Sequence, residues 1–215
     1  IFSYDRPIQL YALFESSELF LSGLNEIFVI YRSSGGDYDK GYEIVWQDFP
    51  WVHALKQGSN PRKDFKPLTL KAFKSTDSKY VMFGVDDIIV KDHVDLNHAI
   101  EAMEKHNAYG CYLRLSPMID YLYSWQRPQK VPPLQKVNEG YLWRFNRASQ
   151  ISDWGYPHTV DMTVYRKKEI LRDLQSLGYY NPNTLESLWA GAANKIRSRV
   201  GFCYESTKMV NLPLN

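Results

Sequence analysis

The sequence has few cysteines, no long apolar run and little net charge, and each absence excludes a class of protein. Only Cys111 and Cys203 occur in 215 residues, and neither belongs to a CxxC pair or a zinc-type cluster. A domain that is stabilised by several disulfide bonds is therefore excluded. We expect a protein with reduced cysteines in the cytoplasm. No stretch approaches 18 apolar residues, so no transmembrane helix is predicted. The first residues lack a basic segment followed by an apolar one, so we expect no signal peptide.

The nearly balanced charge of the chain does not by itself predict an anionic partner. Lys and Arg number 26 and Asp and Glu number 24, which leaves a net charge of +2. A surface for nucleic acid or anionic membrane usually needs a larger excess of basic residues. Hydrophobic residues make up 44% of the chain, so it can bury a core of ordinary size, and its length favours one domain. Because the chain begins without Met on a strand-like segment, we expect one domain of a longer multidomain chain.

Strand-like and helix-like segments alternate over the first 115 residues. Apolar runs predict strands, and apolar residues at helical spacing predict helices. The predicted strands cover 1–4, 27–31, 80–85 and 109–115, and the clearest helices cover 8–21 and 95–106. This alternation is typical of an α/β fold with a mostly parallel, mixed central sheet flanked by helices.

The second half is less regular. Its order predicts a long Tyr-, Trp- and Pro-rich loop, a hairpin, a strand, two helices and a last short strand. Asn183 or Thr184 is expected to cap the second helix. The corresponding ranges are 121–133, 134–145, 160–165, 166–177, 183–198 and 208–212.

Asp86 and Asp87 are the most informative pair in the sequence. They follow the predicted strand that ends at Val85, and a second apolar run begins at Ile88. Two carboxylates at the end of a buried strand suit a hard divalent cation, which prefers oxygen ligands and can clamp a phosphate. An Asp-rich turn in a hairpin is the alternative, because Asp is favoured in turns.

Three polar segments are expected to meet at the carboxyl edge of the sheet, where α/β folds bind ligands. They are residues 5–6, 32–33 and 86–87. Arg32 could reach a ribose or a phosphate there. Arg62, beside Lys63 in a basic loop, is a candidate for a diphosphate, because guanidinium groups bind phosphate through two parallel hydrogen bonds. For both arginines a solvated surface position remains the alternative.

Three stretches together resemble the GT-A type of nucleotide-sugar glycosyltransferase, in its family 2-like form. They are Ser3-Tyr4-Asp5-Arg6-Pro7, Val85-Asp86-Asp87-Ile88 and Pro182-Asn183-Thr184-Leu185-Glu186. The chain also resembles the glycosyltransferase domains of large chlorovirus proteins, which would make it a viral protein of the host-cell cytoplasm. The resemblance spans nearly the whole chain. It implies a single Rossmann-like GT-A domain, with a nucleotide-binding half over 1–115 and an acceptor-binding half over 116–215.

The resemblance also implies a donor, a cofactor and their ligands. It implies a UDP-sugar held by Ser3, Tyr4, Asp5 and Arg6, with an acid on the base or ribose and a ring against the base. Packing of Tyr4 in the core is the alternative. It further implies Mn²⁺ or Mg²⁺ at the Asp-x-Asp-like motif, where this chain departs from the pattern because Val85 replaces the first Asp. Asp87 then takes the metal position, while Asp86 binds metal or ribose.

Several residues of the second half are candidates for binding the metal, for binding the acceptor or for acting as the general base. Relatives in the family supply a late histidine to the metal or diphosphate, which implies that role for His158, and a solvated loop histidine is the alternative. Inverting transfer needs a general base, and the resemblance places Glu186 there, although a helix dipole would lower its pKa. Asp161 interrupts an apolar strand and, with Asp153, is a second candidate for the base. Trp143, Trp154 and Trp189 could form a platform for a glycan acceptor, because sugars stack their C–H faces on aromatic rings. For Trp189, which lies inside a helical pattern, core packing is the favoured alternative.

Two other functions stay open from the sequence. A sugar-phosphate nucleotidyltransferase would also use a Rossmann-like sheet and carboxylate-bound metal, but it usually opens with a Gly-rich phosphate loop. The segment 3–7 contains no glycine. A non-catalytic carbohydrate-binding module is compatible with the 15% aromatic content, yet such modules are mostly antiparallel.

Overall fold

The computed structural model describes residues 1–212, and the last three residues of the predicted acceptor half, 213–215, lie outside this range. Within the described residues the chain forms six α-helices and fifteen short strands. The helices are α1 (Pro7–Phe20), α2 (Asp37–Asp48), α3 (Pro61–Lys74), α4 (Leu96–Lys105), α5 (Lys167–Ser176) and α6 (Pro182–Ala190). The strands are β1 (Phe2–Tyr4), β2 (Leu21–Ser22), β3 (Ile27–Arg32), β4 (Val52–Lys56), β5 (Tyr80–Met82), β6 (Ile88–Val90), β7 (Val94–Asp95), β8 (Gly110–Tyr112), β9 (Tyr121–Leu122), β10 (Arg127–Pro128), β11 (Gln135–Val137), β12 (Gly140–Arg144), β13 (Thr163–Arg166), β14 (Val200–Cys203) and β15 (Met209–Asn211).

The N-terminal half contains a parallel sheet in the order β1-β3-β4. Its register places Tyr4 beside Arg32, so both strands end at the same level. A parallel bridge between Phe2 and Val85 adds the segment before Asp86 on the other side of β1. The loops after β1, β3 and this segment therefore leave the sheet together, as parallel pairing requires.

A second, six-stranded sheet runs in the order β11-β12-β14-β8-β13-β5. Only β14 and β8 pair in parallel here, and the other four pairings are antiparallel. The prediction of an α/β fold with a mixed central sheet is confirmed. The parallel share is smaller than predicted, because the second half enters the sheet through the β11–β12 hairpin and through strands that run against their neighbours.

Two clusters of buried side chains stabilise the two sheets. The first surrounds Leu10, Leu13 and Phe14 of α1, a helix that packs against β6 and α2. The second is rich in aromatic rings and lies beneath β8, β12 and β13. Burial of this much apolar and aromatic surface supplies the main driving force for folding.

The predicted acceptor platform of tryptophans is wrong. Trp143, Trp154 and Trp189 all belong to the aromatic cluster and are at most 2% exposed. The indole N–H of Trp143 donates to the carbonyl of Trp154 at 2.9 Å, and their rings meet edge to face at 5.0 Å. Rings that are buried in this way cannot stack on a sugar.

Local differences from the sequence prediction have identifiable causes. Helix α6 is capped by Asn181, because Asn181 and Thr184 form a reciprocal capping box around Pro182. The helix ends at Ala190, and a 3₁₀ segment, Gly191–Ile196, follows it. Strand β14 was missed because a four-residue run carries little periodic signal. Within residues 1–212, no helix has the length and apolar character needed to cross a bilayer.

Candidate functional site

The three polar loops predicted to converge are joined by direct hydrogen bonds. The backbone N–H of Asp5 donates to the carbonyl of Arg32 at 3.2 Å. The Asp5 carboxylate accepts from the N–H and the hydroxyl of Ser34, at 2.7 and 2.6 Å. The N–H of Tyr4 donates to Oδ2 of Asp86 at 3.2 Å. The carboxyl edge of β1 is therefore the centre of the candidate site.

The backbone of Asp5 is left-handed, with φ of 53°. This conformation is costly for most side chains but better tolerated by Asp, whose short carboxylate can make local hydrogen bonds. Here the two hydrogen bonds to Ser34 compensate for this conformational cost and orient the Asp5 carboxylate toward the loop after β3. Strain of this kind is common at binding sites.

Tyr4 and Arg32 form an exposed stacked pair above this edge. Half of Tyr4 is accessible to solvent, so the alternative of core packing is wrong. The guanidinium carbon of Arg32 lies 4.7 Å from the centre of the Tyr4 ring. A flat aromatic and guanidinium surface of this type can receive a planar base. Ser3 is buried instead, and its hydroxyl lies 2.6 Å from that of Tyr42.

Arg6 lies between the two adjacent carboxylates. One guanidinium nitrogen is 3.6 Å from Asp86 and 3.6 Å from Asp87. The Asp86 side chain is 8% exposed and that of Asp87 is 16% exposed, so neither points freely into solvent. Burial raises the pKa of Asp86, while the Ser3 hydroxyl, the Tyr4 N–H and Arg6 partly oppose the shift. Asp86 thus faces β1, and Asp87 is the more accessible of the two.

The carboxylates fit a divalent cation that is shared with a substrate. Within residues 1–212, no three His, Cys, Asp or Glu side chains are gathered closely enough to hold an ion by themselves. Mg²⁺ and similar ions are commonly held by one or two carboxylates, with substrate phosphates and water completing the shell. Asp87, with Asp86 beside it, supplies this number of oxygen ligands.

A second group of carboxylates is connected to the first through Asn211. Its side-chain amide donates to Asp87 at 3.4 Å and to Asp161 at 3.3 Å. Arg114 then contacts Asp161 at 3.8 Å and Asp153 at 2.9 Å. The sequence analysis missed Arg114 and Asn211. Arg114 could have been found as the one charged residue of the predicted strand 109–115, whereas nothing marked Asn211.

Glu186 is a buried carboxylate close to this second group. One of its oxygens accepts the backbone N–H of Val160 at 2.7 Å. Burial, followed by the negative charge of Asp161, raises the pKa of Glu186. The predicted lowering by a helix dipole does not dominate, because Glu186 is the fifth residue of α6 rather than part of its first turn. The arrangement suits a base that holds a proton strongly.

His158 is not brought to the Asp86–Asp87 pair. It is 1% exposed, and its ring stacks on Trp189 with centres 4.5 Å apart. Nδ1 lies 2.8 Å from the carbonyl of Trp189, and Nε2 lies 2.9 Å from the hydroxyl of Tyr109. Both ring nitrogens therefore have partners in the core, and burial lowers the pKa of His158 to about 4. A role as metal ligand does not fit this placement.

Arg62 lies in the first turn of α3, which follows the end of β4. Its guanidinium carbon is 5.0 Å from the centre of the Tyr180 ring. Helix α3 begins at the same edge of the parallel sheet as the Asp5 loop, because Gln57, just after β4, donates its N–H to the carbonyl of Tyr31 in β3. Arg62 therefore lies at the same edge of the sheet as the Asp5 loop, but it does not contact the Asp86–Asp87 pair.

Comparisons with known proteins yield one curated relative and several solved structures. No family model matches the chain. The chain is 26% identical over 151 residues to the bifunctional glycosyltransferase pgtA of Dictyostelium discoideum, an alignment that covers 66% of this chain and 19% of that protein. It is similar in structure to S. aureus TarS 1-349 in complex with UDP, with a TM-score of 0.58 and 12% identity. That match covers 97% of this chain and 59% of the TarS chain. The TarS complex with UDP-GlcNAc matches with a TM-score of 0.51 and 13% identity over 97% of this chain.

The likeness to the TarS structures confirms the α/β fold. The chain spans about a fifth of the length of pgtA and about three fifths of the TarS chain, 19% and 59% respectively.

Proposed function

We propose that this chain is a glycosyltransferase domain that transfers a sugar from a UDP-sugar to a glycan acceptor. The observation that carries the proposal is the convergence of Asp5, Asp86, Asp87 and Arg6 at the carboxyl ends of parallel strands. UDP and UDP-GlcNAc are bound by the TarS domain of similar fold, which supports a nucleotide-sugar as donor.

The nucleoside would lie across the end of β1. The exposed pair of Tyr4 and Arg32 offers a stacking surface for the base. Asp5 and Asp86 place carboxylate oxygens beside it, and carboxylates accept hydrogen bonds from ribose hydroxyls or base N–H groups. Ser3 supports this edge from below through Tyr42, and Arg62 is proposed to approach the diphosphate from α3.

The diphosphate would lie over Asp87 and Arg6. A Mn²⁺ or Mg²⁺ ion held by Asp87, with help from Asp86, would neutralise charge on the departing UDP. The guanidinium of Arg6, within 3.6 Å of both carboxylates, keeps their mutual repulsion low and offers a positive charge to the same phosphates. His158 is omitted from this ion because both of its nitrogens have core partners.

An inverting transfer would use a carboxylate of the second group as base. The acceptor hydroxyl gives its proton to Glu186, its oxygen bonds to the anomeric carbon, and the bond from that carbon to UDP breaks with its electron pair. The raised pKa of Glu186 favours this role, and Asp161, linked to Asp87 through Asn211, is the alternative base.

Calorimetry with UDP tests the proposal on the Asp87→Asn variant. We expect wild-type protein to bind UDP more tightly with Mn²⁺ than without, and Asp87→Asn to lose at least about 10-fold of the Mn²⁺-dependent affinity. Asp77→Asn is the matched control, because Asp77 is exposed in the turn before β5. Equal Mn²⁺-dependent binding of UDP by Asp87→Asn and Asp77→Asn would reject Asp87 as a metal ligand. Absence of UDP binding by wild-type protein would reject the function.

A turnover assay separates glycosyl transfer from the alternative enzyme class. With UDP-GlcNAc and Mn²⁺ the wild-type protein should release UDP as water takes the sugar in place of the acceptor, and the release should stop in excess chelator. Release of pyrophosphate from UTP and a sugar phosphate, without release of UDP, would instead indicate a nucleotidyltransferase.

A further inference from the structure

A structured hairpin displays aromatic rings to solvent in the second half of the chain. Strands β9 and β10 pair in antiparallel fashion, and a 3₁₀ turn, Tyr123–Trp125, joins them. Tyr123 is 67% exposed and Trp125 is 63% exposed, whereas the other large rings of this half are mostly buried. The sequence predicted only a loop here, so this display is a product of the tertiary structure.

The hairpin is held in shape by its own hydrogen bonds. Gln126 takes a left-handed backbone conformation, with φ of 49° and ψ of 47°, and its side-chain amide donates to the carbonyl of Tyr123 at 2.7 Å. The N–H of Gln129 donates to the carbonyl of Asp120 at 2.7 Å. The Arg127 guanidinium lies 4.7 Å from the centre of the Trp125 ring. The hairpin backbone and the Trp125 ring are therefore held in place before any ligand arrives, which lowers the entropic cost of binding.

The base of the hairpin is connected to the candidate catalytic carboxylates. The side chain of Gln129 donates to the Asp153 carboxylate at 3.0 Å and accepts the Asp153 N–H at 2.9 Å. Asp153 is paired with Arg114, and Arg114 contacts Asp161. This continuous chain of polar contacts runs from the base of the hairpin to Asp161, a candidate for the base that takes the acceptor's proton. The hairpin is therefore connected to the group of carboxylates where the acceptor is proposed to react.

The chemistry of the hairpin favours a neutral, hydroxyl-rich ligand. Residues 121–126 contain three aromatic rings, a serine and a glutamine, and the one charged side chain of the two strands and their turn, Arg127, already lies over Trp125 and donates to the carbonyl of Ile151 at 3.2 Å. Leu122, the one aliphatic residue of this segment, is buried. Rings with O–H and N–H groups at their edges, interleaved with neutral donors and acceptors, match the apolar C–H faces and hydroxyl rims of sugars. An anionic membrane would instead be attracted by clustered Lys and Arg.

We propose that this hairpin is the acceptor subsite, where Tyr123 and Trp125 stack on units of a neutral oligosaccharide built from hexoses or N-acetylhexosamines. The inference rests on the proposed glycosyl transfer, since it names the surface that holds the acceptor. It replaces the buried tryptophans Trp143, Trp154 and Trp189, whose rings cannot reach a ligand.

Ligand-observed NMR titrations test the subsite directly. The probes are cellotetraose, maltotetraose, mannotetraose and chitotetraose. At least one should bind wild-type protein, and Tyr123→Ala and Trp125→Ala should each weaken it about 2- to 10-fold, the range of one aromatic contact. Trp125→Phe should keep most of the affinity, because a ring remains. Tyr38→Ala is the matched control, since Tyr38 is a 45% exposed ring on α2.

The subsite would be overturned if wild-type protein bound none of the four probes. It would also be overturned if the Tyr123→Ala/Trp125→Ala double variant bound them as tightly as wild type. A membrane surface would be indicated instead if wild-type protein sedimented with phosphatidylcholine–phosphatidylglycerol vesicles and the double variant did not, which would likewise overturn the subsite. Unchanged folding is verified by circular dichroism. Calorimetry with UDP and Mn²⁺ on the same variants separates this inference from the proposed function. Loss of oligosaccharide binding with normal UDP binding supports both proposals. Absence of UDP binding in wild-type protein, with oligosaccharide binding that depends on Tyr123 and Trp125, rejects the transfer reaction and reduces the hairpin to a sugar-binding surface without an acceptor role.

Discussion

Replacement of Glu186 by Gln identifies the carboxylate that takes the acceptor proton. Gln keeps the size of the side chain and an oxygen that can accept a hydrogen bond from the N–H of Val160. In the wild-type structure this N–H donates to Oε1 of Glu186 at 2.7 Å. It removes the ability to accept a proton from the acceptor. General-base catalysis typically contributes about 10²- to 10⁴-fold to a rate. We therefore expect kcat for sugar transfer to fall by about this factor, while affinity for UDP stays the same.

The stability of the Glu186→Gln variant provides a second measurement. The pKa of Glu186 is raised above its ordinary value of 4.5 by burial and by Asp161. Its folded state therefore favours the protonated form, and stability present at low pH is lost as pH rises through the raised pKa. At neutral pH the variant lacks this buried charge, so urea unfolding should show it at least as stable as wild type. A loss of activity cannot then be attributed to unfolding.

The pH profile distinguishes Glu186 from Asp161 as the base. A base must be deprotonated, so kcat should rise with pH through the raised pKa of Glu186. Asp161→Asn removes one cause of that shift and should move the acidic limb to lower pH, with kcat on the plateau largely retained. Collapse of kcat in Asp161→Asn, with normal kcat in Glu186→Gln, would refute the assignment and make Asp161 the base.

Two further predictions concern the fold around the site. Burial lowers the pKa of His158 from 6.5 to about 4, so it contributes stability above pH 6.5 that is lost as pH falls to about 4. The full effect is roughly 3 kcal/mol, and urea titrations should show a weaker acid dependence in His158→Phe, whereas an unchanged dependence would contradict it. Gly201 lies beside Trp143, and a Cβ there would meet the indole at 2.5 Å. Gly201→Ala should cost about 1 to 3 kcal/mol by overpacking, which thermal unfolding can check; a wild-type midpoint would show that the ring can move.

The nucleotide half was largely predictable because its signals are local. The apolar runs that became β1 and β3 stand out from their neighbours, and the predicted helix over 95–106 is found as α4, with Asp95 as its N-cap. Parallel strands that alternate with helices must end at a common edge. For this reason the meeting of Asp5, Arg32 and Asp86 followed from chain order alone.

Other site residues could not be predicted, because their positions depend on contacts between distant segments. Asn211 reaches Asp87 across 124 positions of sequence, and no local pattern marks it. His158 looked like a loop residue, yet Trp189 and Tyr109 enclose it from two other elements. Sequence composition likewise cannot tell a buried ring from an exposed one in an irregular segment.

The sequence by itself determined the alternation of strand and helix and the carboxylates at the strand ends, because hydrophobic periodicity and chain order are local properties. The tertiary structure alone decided which aromatic rings meet solvent and which carboxylates, Asp86 and Glu186, have raised pKa values. Both depend on burial, and burial arises only when distant segments pack together and exclude water.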